Sequence, residues 1–202
     1  ERASLPCEWN EEEDSLLYSD LKNAGPYLIA INLYNNEAVV PTLARTLLAT
    51  ANYLGAANVF ISIFESGSTD RTKVSLSHFA RALSSLSIEH SIRSDARETD
   101  WSRVDRIAVG VFYLLQVNLR RNAHDCLDHV QLVLQQLAVY RNIALEPLKD
   151  DHKTVVFLND VFACPRDILE LLRQKEMQKA DAVCAMDVRD RPSISNFVWP
   201  SY

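Results

Sequence analysis

Acids and small polar residues recur where apolar runs stop. The run ending at Phe64 is followed by Glu65, Ser66, Gly67, Ser68, Thr69, Asp70, Arg71 and Thr72. The run Tyr27–Tyr34 is followed by Asn35, Asn36 and Glu37, and the run Val155–Leu158 by Asn159 and Asp160. A carboxylate desolvated at the end of a buried strand is costly without a partner. For Asp160 one suitable partner is a hard cation, Mg²⁺ or Mn²⁺, bridging to substrate phosphates. The other is the amino end of the helix that follows. Glu65 suits hydrogen bonding to a base or ribose, and Asp70 suits a helix cap or loop lock. Arg141 and Asn142 lie on an otherwise apolar helical stretch, where a guanidinium suits a diphosphate or simply faces solvent. His124, Cys126 and His129 resemble a metal set only superficially, because the two histidines, five apart, share no helical face. There is no GxSxG, no Walker loop and no GxGxxG, and only four glycines to build a phosphate cradle.

These groups need a scaffold, and the hydrophobic pattern supplies one. Pro26–Tyr34 reads as a strand buried on both faces. A helix follows, with Leu43, Leu47, Leu48, Ala51 and Leu54 on one face, Pro41 in its first turn and Gly55 just past its end. Asn58–Glu65 is the second strand. Ser68 or Asp70 caps the next helix, whose predicted apolar face is Val74, Phe79, Ala82, Leu83 and Leu86. Ile88–Ile92 is a short third strand. Helices are expected over Arg106–Val117 and Ala123–Ala144. Lys153–Val161 is a fourth strand, Cys164–Lys175 a helix, and Ala180–Val188 another buried strand ending at Asp187. Alternation of this kind predicts an α/β fold with a mostly parallel sheet and helices on both faces. In such sheets ligands bind beyond the carboxyl ends of the strands.

The 202 residues suffice for one sizeable domain, and 48% of them are hydrophobic. A net charge of −6 with no basic cluster argues against a nucleic-acid groove. No apolar run approaches the length needed to span a bilayer, so no membrane contact is expected from this piece. The four cysteines show no zinc spacing. Oxidised, they allow three pairings, and free or partly buried thiols are the expectation.

The order of the blocks Leu28–Glu37, Leu54–Thr72, Arg141–Leu148, Val155–Leu172 and Ala182–Asp187 resembles GT-A-type nucleotide-sugar glycosyltransferases. More closely, it resembles the fungal α-1,3-mannosyltransferase family associated with cryptococcal capsule synthesis. The resemblance implies a GT-A-like domain over residues 25–202, with 1–24 peripheral and a helical insertion around 106–140. The family pattern continues past Tyr202, so the domain is expected to be incomplete at its carboxyl end. The implied reaction is transfer of mannose from GDP-mannose to a mannose-containing acceptor glycan, with an α-1,3 linkage, retention of configuration and a divalent metal, Mn²⁺ or Mg²⁺. Asp160 would hold the metal and serve catalysis, and Asp187 would act on the acceptor side or behind the metal. Asn35, Glu37, Glu65, Ser66, Asp70, Arg141, Asn142 and Asn159 would bind the donor. Placement in the Golgi lumen, as part of a type II membrane protein, is also implied. The alternative is a truncated or degenerate homologue that binds a nucleotide sugar or a partner without turnover.

Overall fold

Tyr27–Leu33 forms β1, and six of its seven residues are buried. That burial explains why its sequence is a continuous apolar run, without alternation. A computed structural model describes residues 16–95, 135, 137–159 and 161–185. Within them, a short helix α1 (Leu21–Ala24) precedes β1. Then come α2 (Val40–Leu54), β2 (Val59–Glu65), α3 (Thr72–Ser85) and β3 (Glu89–Ser94). Helix α4 covers residues 137–145. β4 (Thr154–Leu158) and α5 (Pro165–Gln178) complete the order.

The sheet runs β3-β2-β1-β4 and every pairing is parallel. The α/β expectation with a parallel sheet therefore holds. β1 is central, and the chain order reverses between β1 and β4, the kind of switch point where open sheets bind ligands. The register puts Leu33, Glu65 and Ser94 on one rung at the carboxyl edge. β4 ends lower, at Leu158 opposite Ile31.

Alternate residues of β1 feed two cores. Ile29, Ile31 and Leu33 pack with Leu43 and Leu47 of α2, Leu76, Phe79 and Leu83 of α3, and Ile168 and Leu169 of α5. Ala30 faces the other way, with Phe64, Tyr140 and Ala144. So α4 covers the second face, and helices lie on both sides as expected. Burial of this kind is the main stabilising term, about 25 cal/mol per Å² of apolar surface.

Two sequence expectations change here. The core face of α3 is Thr72, Leu76, Phe79 and Leu83, whereas Val74 and Leu86 are exposed. The spacing of four, three and four keeps these residues on one side, and Val74 lies off that stripe. Second, Ala180–Ala185, the described part of the expected strand Ala180–Val188, is irregular. Its apolar residues pair with no described strand, and a strand needs a partner for its backbone groups. The expected helix Arg106–Val117 and the first part of Ala123–Ala144 lie outside the described residues.

Candidate functional site

The loops that leave β1 and β2 are joined by side chains taking up backbone amides. Asn35 N–H donates to Ser68 Oγ at 2.9 Å, Asn36 N–H to Thr72 Oγ1 at 2.8 Å, and Glu37 N–H to Asp70 Oδ2 at 3.0 Å. Bonds also run the other way. Thr69 N–H donates to Asn35 Oδ1 at 2.9 Å, and Arg71 N–H to Glu37 Oε2 at 3.3 Å. Ser66, buried, donates both its N–H and its hydroxyl to the Leu33 carbonyl, at 3.0 and 3.3 Å. Asn35 takes a left-handed φ of 50°, which asparagine tolerates better than most residues. Gly67 has φ 82°, and that turn lets the chain double back so that Ser68 N–H reaches Glu65 Oε1.

Five sequence-predicted residues, Asn35, Glu37, Glu65, Ser66 and Asp70, thus form one connected cluster at the carboxyl edge of the sheet. Their roles differ from one another. Asn35 and Glu37 are exposed. Glu65 is fully buried, and its Oε2 has no hydrogen-bond partner among the described residues. Lys73 Nζ stands 3.9 Å from that oxygen. Asp70 accepts from Thr72 N–H at 2.9 Å as well as from Glu37. Burial pushes the Asp70 carboxyl upward, but the bonds from Thr72, the Glu37 amide and its own amide outweigh it and hold the group below the ordinary range. Of the two expected roles, cap or loop lock, Asp70 takes the second: the residue at the N-cap of α3 is Arg71, without a side-chain cap bond, and Asp70 ties the Glu37 and Thr72 amides together. Ser68 does not cap the helix either, and its hydroxyl serves Asn35.

A second group lies on the opposite face of the sheet. Arg141, exposed on α4, holds its guanidinium carbon 5.7 Å from the ring centre of Phe157 in β4. This stacking keeps the cation beside the carboxyl half of β4. Asn142 and Asn159 are also exposed. Asn32, with its amide turned to match its neighbours, donates to the Tyr140 carbonyl and accepts from Arg141 N–H, both at 3.2 Å. Tyr140 in turn packs on Phe64 at 5.2 Å between ring centres. Through Asn32 and Phe64, β1 and β2 therefore set the position of α4. The loop cluster and Arg141 flank the same sheet edge from two faces.

Asp160 and Asp187, the expected metal and catalytic carboxylates, lie outside the described residues. Among the described residues, no group of three or more His, Cys, Asp or Glu side chains could hold a metal ion. Sequence reading passed over Thr72, Lys73 and Asn32. Each looks like ordinary helix or strand polarity, and only the partner it meets reveals its role. The expectation of four free thiols is corrected: Cys164 is disulfide-bonded, whereas Cys184 is free and exposed. A shallow depression lined by Phe60, Ser87, Ile88, Glu89 and His90 sits at the amino ends of β2 and β3, away from these groups. Among the described residues, no helix is long and apolar enough to cross a membrane.

A family model described as cryptococcal mannosyltransferase 1 matches residues 26–199. The alpha-1,3-mannosyltransferase CMT1 of Cryptococcus neoformans is 28% identical over 194 residues, which are 90% of this chain and 37% of the relative. The chain thus spans little more than a third of that relative's length. No solved structure matches.

Proposed function

This chain belongs to the cryptococcal mannosyltransferase 1 family, and from that premise we propose that it carries the nucleotide-sugar site of a mannosyltransferase. The donor is GDP-mannose and the acceptor is a mannose-containing glycan. The linkage formed is α-1,3, and the anomeric configuration is retained. The observation that carries this reading is the extent of the family match, which takes in all four parallel strands and both polar groups at their carboxyl edge. The name of the Cryptococcus relative supports the linkage.

In this reading the exposed side chains of Asn35 and Glu37, on the loops joined by Ser66 and Asp70, face the nucleoside. The Arg141 guanidinium, held over Phe157, meets the diphosphate with paired donors. Asn142 and Asn159 border the same space. Fixed donors of this kind favour the transition state because charge builds on the leaving diphosphate as the glycosidic bond breaks. A divalent cation at Asp160, Mn²⁺ or Mg²⁺, would offset the same charge. Retention with an α-linked donor is compatible with front-face attack, the departing phosphate taking the acceptor proton. The setting is the Golgi lumen.

The test is calorimetric titration of GDP with and without Mn²⁺, on the wild type and on Asp160→Ala, followed by a transfer assay with GDP-mannose. Binding that needs Mn²⁺ and is lost in Asp160→Ala supports the site, and mannose transfer supports the reaction. Failure of GDP to bind under either condition refutes the nucleotide site. GDP binding without transfer favours a binder without turnover.

A further inference from the structure

Glu65 stands in the nucleotide-facing cluster, yet nothing outside the protein can reach it. Its side chain is 0% exposed, while that of Lys73 is 38% exposed. One carboxylate oxygen takes the Ser68 amide, and the other has no hydrogen-bond partner among the described residues but lies 3.9 Å from the Lys73 ammonium. Glu65 is also pinned through its backbone, because its carbonyl accepts Asp95 N–H at 2.8 Å. Lys73 lies in the first turn of α3, where the helix dipole disfavours a cation. A buried carboxylate with one oxygen unsatisfied gives that cation a reason to be there.

The bonds continue outward from this pair. The Ser68 amide is held by Glu65, and the Ser68 hydroxyl holds the Asn35 amide. Asn35 Oδ1 then takes the Thr69 amide and, at 3.4 Å, the Thr69 hydroxyl. A chain of contacts therefore runs from the first turn of α3, beneath the β2 loop, to the β1 loop. We infer that Lys73 and Glu65 are a positioning pair that fixes the Asn35 and Ser66–Thr69 segments for the donor, neither residue touching it. This rests on the nucleotide-sugar reading for its consequence, but the pairing can be measured without any ligand.

The experiment compares Lys73→Met, Glu65→Ala, Glu65→Gln and the double variant Glu65→Gln with Lys73→Met. Hydrogen exchange at the Ser68 and Asn35 amides is read first, with the Ile29 and Ile31 amides of β1 as the control for folding. Loss of one such bond corresponds to about tenfold faster exchange. That increase is expected at both amides in Glu65→Ala and in Lys73→Met, with the β1 amides unchanged. The double variant recovers protection, because a glutamine oxygen still accepts the Ser68 amide and no buried charge remains to be matched. Wild-type exchange at both amides in Lys73→Met overturns the inference, as does a double variant no better protected than Lys73→Met. GDP titration in Mn²⁺ follows, and its Kd is expected to rise in the same order as the exchange rates. If Glu65→Gln weakens GDP as much as Glu65→Ala while both amides stay protected, Glu65 contacts the ligand and the inference fails. If the wild type binds no GDP, the nucleotide reading fails alone, and the exchange order still decides the pair.

Discussion

Replacing Thr72 with valine removes a hydroxyl and leaves the shape of the side chain unchanged. Thr72 is fully buried at the start of α3, and its Oγ1 accepts the buried Asn36 amide at 2.8 Å. Valine fills the same volume, so no cavity forms. The Asn36 N–H is left without an acceptor, and such a loss costs about 1–3 kcal/mol. Thr72→Ser keeps the acceptor and removes one methyl group, roughly 0.8 kcal/mol. The expected order of stability is wild type, then serine, then valine. Urea denaturation followed by circular dichroism measures it. With a urea slope of about 1–3 kcal/mol/M, the valine midpoint falls by around 1 M. The same hydroxyl helps hold Asp70 below the ordinary carboxyl range. In Thr72→Val the Asp70 titration, followed by NMR, therefore moves upward. A valine variant as stable as wild type, or less affected than serine, would falsify the view that the two loops are joined by satisfied amides.

Two further outcomes are expected. Glu170 is held down to about 2, first by the Arg173 hydrogen bond, against burial and with help from Gln174 and Tyr18. A lowered carboxyl stabilises the fold above its ordinary value of 4.5 and loses that contribution as pH falls toward 2. The stability gap between wild type and Arg173→Ala in urea should therefore narrow from pH 6 to pH 2.5. A gap independent of pH would remove Glu170 from the account. Arg141→Ala should leave stability within about 0.5 kcal/mol, because the side chain is exposed and, among the described residues, makes no ion pair. It should nevertheless weaken GDP at least about tenfold, since a charge-assisted hydrogen bond is worth roughly 1.5–3 kcal/mol. Unchanged GDP affinity would take Arg141 out of the site.

The strands central to the sheet were the easiest part to read. β1 and β2 are buried on both faces, and that condition writes itself into the chain as an unbroken apolar run. α3 was read less well. A polar threonine, Thr72, occupies a core position because its hydroxyl has a partner from another loop, so counting apolar residues shifted the face toward Val74. Ala180–Ala185 misled for the opposite reason, since its composition suits a strand but strand formation depends on a neighbour. At the site, residue type and position at a strand end placed Asn35, Glu37, Glu65, Ser66 and Asp70 together. They did not separate exposed side chains from buried ones. Nothing in the spacing tells that Glu65 points under the loop and Asn35 out of it. That difference comes from contacts between residues 33 to 36 positions apart.

Three successive amides of the β1 loop are already occupied by side chains of the β2 loop and of the first residue of α3. An anion arriving at this edge cannot be received by those N–H groups, as it would be in a glycine-rich phosphate loop. Under the proposed function a donor diphosphate would have to rely on side chains and counter-ions, so donor affinity should be sensitive to ionic strength. For protein engineering the same feature makes the two loops a single transplantable cassette. Either one grafted alone into a related scaffold arrives with its acceptors or its donors missing, and a specificity exchange has to move both at once.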